Sequence, residues 1–476
     1  MGVGPDPALG SPPWGAQWCC STGSCRLHDH PALATAVRRT ERVVPLFVVD
    51  PAIVEGGFGA PNRLAFLAET LADLRGQLRD RGADLVLRRG DPAAEVVRVA
   101  RACGASTVHV SDDVTGFARA RRDSLAAAVD AAGLELVGHP GVGVVDPGVV
   151  RPAGGDHFKV FTPYHRAWQQ VPRRPAAAVP KALRLPDGID VGPEVDELLP
   201  PAWRQGASPQ RPPGGEGAGR ARLADWCRVD GPARYADHHD DLAGDRTSRL
   251  SPYLHFGCLS PLELEHRLAD DGAGGAAFVR QLCWRDFYHQ VTAAFPAIAR
   301  RDYRPRGDRW EHDEDVIAAW KEGRTGYPIV DAGMRQLAAE GWMHNRARMI
   351  TASFLVKDLG VDWRVGAAHF LHWLCDGDIA QNSANWQWTA GTGNDTRPNR
   401  VFNPLRQAER FDPAGTYVQR YVPELAGLGP KVVHRPWVLE GGAPAGYPPP
   451  IVDHDRAAAA FRARRQGPAE QARLPL

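Results

Sequence analysis

The chain has 476 residues, enough for two or three domains with a large buried core. Hydrophobic residues make up 43% and charged residues 24%, which is typical of a globular protein and excludes a disordered chain. The net charge of +1 excludes a uniformly basic protein, so any contact with nucleic acid must rest on a local positive patch.

Membrane and secretory signals are absent from the sequence. No apolar run approaches the ~20 residues of a membrane span, and no basic segment with an apolar core opens the chain. The eight cysteines are scattered, which favours reduced thiols over a disulfide framework. We therefore expect a cytoplasmic protein without membrane contact.

Residues 1–25 form an atypical leader, which we expect to be disordered or poorly paired. The close spacing of Cys20, Cys25, His28 and His30 raises the alternative of a metal site. That spacing matches no standard zinc pattern, and we expect no metal.

Between residues 26 and 140, short apolar runs alternate with segments of helical periodicity. The predicted strands are VVPLFVVD (43–50), DLVLRRG (84–90), STVHVSDD (106–113) and LELVGHP (134–140), and the predicted helices cover 63–82, 92–104 and 118–133. This alternation predicts an α/β domain with a doubly wound parallel sheet. Because no G-x-G-x-x-G sequence is present, a dinucleotide bound to this domain is not supported.

Proline and glycine crowd PPAWRQGASPQRPPGGEGAGR (200–220), which predicts an exposed and partly disordered loop. We interpret residues 141–225 as a long connector that joins the α/β domain to a second domain, residues 226–476.

Two helix-start signals open the second domain, Ser251-Pro252 and Ser260-Pro261, each with a serine cap before a proline. The hydroxyls of Thr247, Ser248 and Ser251, with Arg249 nearby, can hold a pyrophosphate at a helix N-terminus. On spacing alone, plain helix capping is the favoured interpretation.

Polar residues and tryptophans recur at helical spacing further along the chain. The predicted stripes are Asp378, Asn382 and Trp386; Trp342, Asn345, Arg346 and Met349; and Gln281, Trp284, Arg285 and Tyr288. A core helix would carry Leu and Val at such positions, although an amphipathic helix with an aromatic seam also explains the third stripe. The first two stripes favour a site for a large, flat aromatic ligand with polar edges.

Three blocks carry a resemblance to a known family: GYPIVDAGMRQLAAEGWMHNRARMITASFLVKDL (326–359), DGDIAQNSANWQW (376–388) and RVFNP (400–404). They closely resemble the flavin domain of the DNA photolyase/cryptochrome family, most of all the class I cyclobutane pyrimidine dimer photolyases. The resemblance implies an N-terminal α/β antenna domain, a long connector and an all-α FAD-binding domain. In this family an apolar strand and a basic turn belong where WCCSTGSC (18–25) stands, and one hypothesis is that a shifted reading frame produced this segment.

The resemblance implies an FAD site in the second domain. The implied cofactor-binding residues are Tyr235, Thr247, Ser248, Arg249, Leu250, Ser251, Gln281, Arg285, Trp342, Asn345, Arg348, Asp376, Asp378 and Asn382. Among them, Arg348 and Asp376 are expected to form a buried ion pair, and Asp378 to accept a hydrogen bond from the isoalloxazine N3–H. Asn382 matches the position opposite flavin N5, where plant-type cryptochromes place Asp, and it favours repair.

The resemblance also implies a lesion pocket, an electron path and a DNA surface. The implied catalytic residues are Gln281, Trp284, Asn345, Met349, Asn382 and Trp388, and the electron path consists of Trp310, Trp363 and Trp386. The implied DNA-binding residues are Trp284, Arg346, Trp388, Arg397 and Arg400, with Lys431 as a further candidate. Many dimer photolyases have Glu where this chain has Gln281, which can donate a hydrogen bond but carries no charge.

The implied function is blue-light-driven repair of cyclobutane pyrimidine dimers by a carbon–carbon lyase that transfers an electron from reduced FAD to a flipped-out lesion. We expect a monomer that acts on double- or single-stranded DNA and is associated with the nucleoid when bound. Two alternatives stay open: a cryptochrome-like photoreceptor without repair, because of Gln281, and a (6-4) photoproduct photolyase, because of His255. Phe117 and Ala118 stand where folate-binding members have polar contacts, which favours a deazaflavin antenna over methenyltetrahydrofolate.

Overall fold

One parallel sheet organises the N-terminal part of the chain. The computed structural model describes residues 16–20 and 24–466. The strands are β1 (Ala16–Cys20), β2 (Val43–Val49), β3 (Val86–Arg89), β4 (Thr107–Ser111) and β5 (Glu135–His139), and their order in the sheet is β3-β2-β1-β4-β5. The helices around the sheet are α1 (Pro31–Arg39), α2 (Pro51–Val54), α3 (Pro61–Arg79), α4 (Pro92–Cys103) and α5 (Gly116–Ala131).

The predicted doubly wound sheet is confirmed. Each of the four predicted strands and three predicted helices is present within a few residues of its expected position. The side chains of β2 are buried on both faces of the sheet, with one exception that is half-buried. Because helices cover both faces of a parallel sheet, its central strands are continuous apolar runs, and such runs are visible in a sequence.

The prediction for the leader is wrong for residues 16–20. They form the central strand β1, which pairs in parallel with β2 from Ala16↔Val43 and with β4 from Ala16↔Thr107. Strand pairing uses the backbone N–H and C=O groups, so it is set by the neighbouring strands and not by a side-chain pattern within the leader. Residues 1–15 and 21–23 lie outside the described residues, and the reading-frame hypothesis stays a prediction.

The regular elements after β5 are helices joined by irregular segments. They are α6 (Phe161–Gln169), α7 (Val195–Leu198), α8 (Glu216–Arg228), α9 (Tyr235–His238), α10 (Ser251–His255), α11 (Pro261–Leu268), α12 (Gly272–Ala294), α13 (Glu314–Lys321), α14 (Pro328–Glu340), α15 (Asn345–Ser353), α16 (Trp363–Trp373), α17 (Ile379–Ala390), α18 (Pro404–Phe411), α19 (Thr416–Tyr421) and α20 (His454–Gln466). A π-helical turn, Phe354–Asp358, directly continues α15. No helix in the described part of the chain is long and apolar enough to cross a membrane.

The prediction of a partly disordered loop at 200–220 is wrong for the two ends of the segment, whereas residues 205–215 form an irregular loop. A 3₁₀ turn covers Pro201–Arg204, and α8 begins inside the predicted loop at Glu216. The carboxylate of Glu216 is buried and accepts the backbone N–H groups of Leu27, at 2.7 Å, and His28, at 3.1 Å. These contacts join residues up to 189 positions apart and fix the start of α8. The composition of the segment alone cannot reveal them.

Candidate functional site

An arginine that was not predicted as a site residue, Arg222, binds the backbone of the segment 247–251. The Arg222 guanidinium donates to the carbonyls of Thr247 and Ser248, each at 2.9 Å. Arg249 has a φ of +55°, an unusual value for a residue with a side chain. Within the described residues, the buried Oγ1 of Thr247 has no hydrogen-bond partner. A buried hydroxyl of this kind fits an anionic oxygen of a ligand.

Arg249 joins this segment to Trp342. Its guanidinium contacts Asp245 at 2.7 Å and Glu340 at 2.8 Å and lies 4.2 Å from the centre of the Trp342 ring. The Trp342 indole N–H donates to Ser251 Oγ at 3.2 Å. The structure therefore brings together three predicted cofactor-binding residues that are up to 93 positions apart. Trp342 itself precedes α15, so the prediction that it shares a helical stripe with Asn345 is wrong.

A second group of predicted residues gathers at the turn between α16 and α17. Arg348 Nη2 lies 2.8 Å from Asp376 Oδ2, so the expected ion pair is present in the structure. The side chain of Asp376 is only 4% exposed, and its other carboxylate oxygen has no hydrogen-bond partner within the described residues. Arg348 also donates to the Met343 carbonyl at 2.8 Å, which sets its direction.

Asp378 caps α17 and lies in a positive environment. Its Oδ1 accepts the N–H of Gln381 at 2.9 Å, and its Oδ2 lies 3.6 Å from His289 Nε2. Burial raises the pKa of Asp378, but the contact with His289 and the charges of Arg285 and His255 outweigh burial. The net pKa lies well below the usual value of an aspartate, so this carboxylate is a hydrogen-bond acceptor at neutral pH.

Asn382 lies one turn further along α17 and is 9% exposed. Its Nδ2 donates to the Ala367 carbonyl at 3.0 Å, so one amide hydrogen is already engaged. The carbonyl oxygen and the second N–H are the groups that a ligand can contact. At the start of α15, Asn345 is exposed, and its Nδ2 lies 3.8 Å from Met349 Sδ.

The predicted face of α12 is partly covered by the connector. Trp284 stacks on Phe161 with 3.6 Å between ring centroids and an angle of 3° between planes. Gln281 is exposed, whereas Arg285 donates to the carbonyls of Val142 and Leu254. The contact of Phe161 was not predicted, because a single aromatic residue in a connector carries no periodic signal.

Tyr235 and Leu250 belong to one hydrophobic cluster. The Tyr235 ring packs edge-on against Trp226, at 6.0 Å, and Phe278, at 5.4 Å, and burial raises the pKa of its hydroxyl. Leu250 is 1% exposed.

Two of the three predicted electron-path tryptophans are buried in one core. The ring of Trp386 packs directly against Gly366, where a Cβ atom would lie only 2.1 Å from it. Gly366 lies in the first turn of α16, which begins at Trp363, so both tryptophans lie near the start of this helix. Trp363 donates its indole N–H to Asp302 at 2.9 Å. The half-buried Trp310 packs against the same core. Trp320, which sequence analysis did not single out, lies edge-on to Trp386 at 6.1 Å.

The predicted DNA-binding arginines fall into two environments. Arg346 forms a two-pronged ion pair with Asp240, at 2.7 and 2.8 Å, and lies over the Phe411 ring. Arg397 and Arg400 are exposed, and Arg400 lies 5.3 Å from the centre of the Trp388 ring. Lys431 is also exposed but lies elsewhere in the chain.

Both parts of the chain match models of known protein families. Residues 22–182 match the family model described as DNA photolyase, and residues 278–467 match that of the FAD binding domain of DNA photolyase. The deoxyribodipyrimidine photo-lyase of Streptomyces griseus is 53% identical over 450 residues, which cover 93% of this chain and 98% of that protein. The chain belongs to the DNA photolyase family.

Other members are also similar over nearly their whole length. The deoxyribodipyrimidine photo-lyase of Escherichia coli K12 is 36% identical, over 93% of this chain and 97% of that protein. The crystal structure of a class III photolyase from Agrobacterium tumefaciens has a TM-score of 0.89 at 32% identity, over 98% of this chain and 100% of that one. The photolyase fold, with an α/β and a helical FAD-binding part, therefore holds across the chain.

Proposed function

We propose that this chain is a light-driven lyase that splits cyclobutane pyrimidine dimers in DNA. The observation that carries the proposal is the likeness, over 93% of the chain, to a relative named deoxyribodipyrimidine photo-lyase. The predicted residues Trp342, Arg348 and Asp376 support it, because they lie in the part of the chain, residues 278–467, that matches an FAD-binding domain.

The residues present fit FAD. Thr247 Oγ1, Asp376 Oδ1 and His289 Nδ1 are buried polar atoms without a hydrogen-bond partner in the described part of the chain. Buried polar atoms in native proteins are nearly always satisfied, so these three atoms are available as hydrogen-bond partners of a polar ligand. The hydroxyls of the 247–251 segment would hold the phosphates, and Asp378 and Asn382 would hold the edge of the ring.

FAD in its reduced form supplies absorption of blue light and an electron for the dimer, which is the chemistry that opens the cyclobutane ring. The side chains of the chain supply position and charge. The ionised Asp378 would accept a hydrogen bond from a ring N–H, and the Arg348–Asp376 pair would keep the surrounding charge balanced. Asn382 is neutral at every pH, so it cannot deliver a proton to the ring.

The lesion pocket would be bounded by Trp284, Trp388 and Met349, with Gln281 and Asn345 as hydrogen-bond donors. Flipping a damaged base pair out of the duplex costs a few kcal/mol, and stacking on aromatic rings recovers about 1–3 kcal/mol per base. Because Phe161 covers one face of Trp284, the indole has a fixed orientation, and its remaining surface is the part that can meet a base.

Trp310, Trp363 and Trp386 would provide a path for electrons between the surface and the site. Trp363→Phe should lower the rate of photoreduction by external reductant at least ten-fold and leave repair by chemically reduced protein unchanged. Trp373→Phe, at the far end of α16, is the matched control. Equal photoreduction by both variants would exclude Trp363 from the path.

An antenna chromophore is a further part of this proposal, with a deazaflavin favoured over methenyltetrahydrofolate. Phe117 is 51% exposed at the start of α5, and Ala118 is buried, so neither offers a polar side chain to a folate. Absorbance spectra and mass spectrometry of the chromophores released from purified protein test this choice.

We also propose that the chain acts on DNA as a monomer, which light scattering of the free and DNA-bound protein tests.

The deciding experiment for the function uses photoreduced protein and an oligonucleotide with one thymine cyclobutane dimer. Under blue light, the ultraviolet absorbance of the intact bases should return, and it should not return in the dark. Trp284→Ala should lower the affinity for this substrate, whereas Trp203→Ala, in the connector, should not. Protein that binds FAD and photoreduces but restores no bases would contradict dimer repair, and an oligonucleotide with a (6-4) photoproduct then tests that substrate.

A further inference from the structure

Lys357 is an almost fully buried lysine that the function described so far does not use. It lies in the π-helical turn that continues α15 and is 3% exposed. Lysine is rarely buried unless its ammonium group is hydrogen-bonded or ion-paired. Its Nζ donates to two backbone carbonyls, that of Pro398 at 3.3 Å and that of Arg400.

These two carbonyls belong to residues 395–402, which we call the cation loop. At its start, Asp395 Oδ1 accepts the N–H of Arg397 at 2.9 Å. The N–H of Arg400 then donates to the Arg397 carbonyl at 3.1 Å and closes a turn. The ammonium group of Lys357 therefore lies beneath a turn whose own hydrogen bonds leave the carbonyls of residues 398 and 400 for it.

The outer side of the cation loop carries the exposed charges. Arg397 and Arg400 are both exposed, and the guanidinium of Arg400 lies over Trp388 and, at 4.7 Å, over Phe402. The carbonyls of Pro398 and Arg400 face Lys357, whereas the side chains of Arg397 and Arg400 are exposed. Phosphate contacts position a protein on DNA only if the charged groups have a defined spacing.

We propose that Lys357 is a positioning residue that holds the cation loop in the shape in which Arg397 and Arg400 contact the phosphates of damaged DNA. The proposal rests on the proposed function, because it takes DNA as the partner of this surface. Lys357 does not contact DNA, since it is buried beneath the loop.

The surroundings of Lys357 give this role a measurable signature. Burial lowers the pKa of Lys357 to about 7, although the nearby charge of Asp395 raises it. The charged, titratable and aromatic groups that face it are Asp395 and Arg400 on the cation loop, Asp358 on its own turn, and Arg465, Phe461 and the Asp358-bound His454 on α20. The charged form makes the stronger hydrogen bonds to the two carbonyls.

DNA phosphates next to the cation loop favour the charged form of Lys357, so binding is expected to take up a proton. The affinity for DNA should then be highest below about pH 7 and should fall as the pH rises through the pKa of Lys357. A residue that merely fills the core would produce no such dependence.

The test measures the dissociation constant in the dark for an oligonucleotide with a thymine dimer, between about pH 6 and pH 9. Wild type is compared with Lys357→Met, Lys357→Arg and the control Lys181→Met, which removes the same charge from an exposed connector position. At low pH, Lys357→Met should bind about ten-fold more weakly than wild type, or about 1.4 kcal/mol, and Lys181→Met should bind like wild type. Wild type should lose affinity as the pH rises, whereas the always-charged Lys357→Arg should keep its affinity.

Equal affinity and equal pH dependence in wild type and Lys357→Met would overturn the proposal. If Lys357→Met does not fold, the comparison of wild type with Lys357→Arg tests the proposal. Identical pH profiles of DNA affinity would overturn it, and a loss of affinity at high pH in wild type alone would support it. FAD content and photoreduction should be the same in all variants, because Lys357 contacts none of the predicted cofactor residues. Light-driven repair by wild type reports separately on the proposed function, and wild type that binds no damaged DNA would overturn both.

Discussion

Two groups of largely buried carboxylates lie in different electrostatic surroundings in this chain. Asp376 and Asp378, beside the predicted flavin site, lie next to Arg348 and His289. Asp146 and Asp286 lie where the connector meets α12, and Asp286 there accepts the N–H groups of Val144 and Val145 and the indole N–H of Trp168. We call these two groups the flavin-side pair and the connector pair.

The difference lies in the partner and not in burial. Burial raises the pKa of both Asp286 and Asp146, and the charge of Asp286 raises the pKa of Asp146 further, to about 6. Burial acts in the same direction on Asp378, but His289 and Arg285 reverse it. The pKa of a buried carboxyl in this protein is therefore lowered where positively charged groups lie close enough to offset the loss of water. Asp378 meets this condition, which suits a site that must hold a polar ligand.

The largest effect is expected from removal of the cation on the flavin side. Arg348→Met leaves the carboxylate of Asp376 buried without its partner, which should lower the free energy of unfolding by about 3–5 kcal/mol. Urea unfolding of the FAD-bound protein measures this loss. The double variant Arg348→Met with Asp376→Asn removes both charges and should recover a large part of it. Equal losses in the single and double variants would show that the pair has no electrostatic role.

On the connector side, the donors matter more than the charge. Asp286→Ala leaves two backbone N–H groups and one indole N–H buried without an acceptor, which should cost about 2–3 kcal/mol of unfolding free energy. Asp286→Asn keeps one acceptor oxygen and should cost roughly 1 kcal/mol. If the asparagine variant is as unstable as the alanine variant, the charge of Asp286 contributes more than its hydrogen bonds do.

The pH dependence of Asp378 provides a sharper test. Because its pKa is lower in the folded state, its stabilising contribution is present above the unfolded pKa and is lost as the pH falls. Wild type should be more stable than Asp378→Asn by about 1–2 kcal/mol near neutral pH. This difference should shrink as the pH falls below about 4. Chemical unfolding of both proteins at a series of pH values measures it, and a difference that does not change with pH would contradict the assignment.

Asp146 should give the smallest effect, with the opposite sign. Its pKa is raised to about 6 in the folded state, so wild type loses stability as the pH rises from about 4 to about 6. Asp146→Asn mimics the protonated form and should therefore stabilise the protein by about 1 kcal/mol at pH 8. The gain should vanish at about pH 4, where wild type is protonated in the folded state. A destabilised variant at pH 8 would show that the ionised carboxylate makes a favourable contact.

The local structure of the α/β part could be predicted from the sequence to within a few residues. Apolar runs such as VVPLFVV and amphipathic segments such as Pro92–Cys103 depend on side-chain periodicity, which is a property of neighbouring residues. The central strand Ala16–Cys20 escaped prediction because its place in the sheet is set by the backbones of β2 and β4. The start of α8 at Glu216, inside segment 200–220, was not predicted for a similar reason. The hydrogen-bond partners of Glu216 lie 188 and 189 residues away in the chain.

The candidate site divides in the same way. The sequence by itself determined which residues are candidates, because the blocks around Trp342, Asp376 and Asn382 resemble a known family. Only the tertiary structure decided that Arg346 forms an ion pair with Asp240 and that Phe161 stacks on Trp284. It alone also decided that Lys357 lies under the cation loop. The physical reason is that burial, pairing and pKa depend on distances between residues far apart in the chain, and only the folded chain defines those distances.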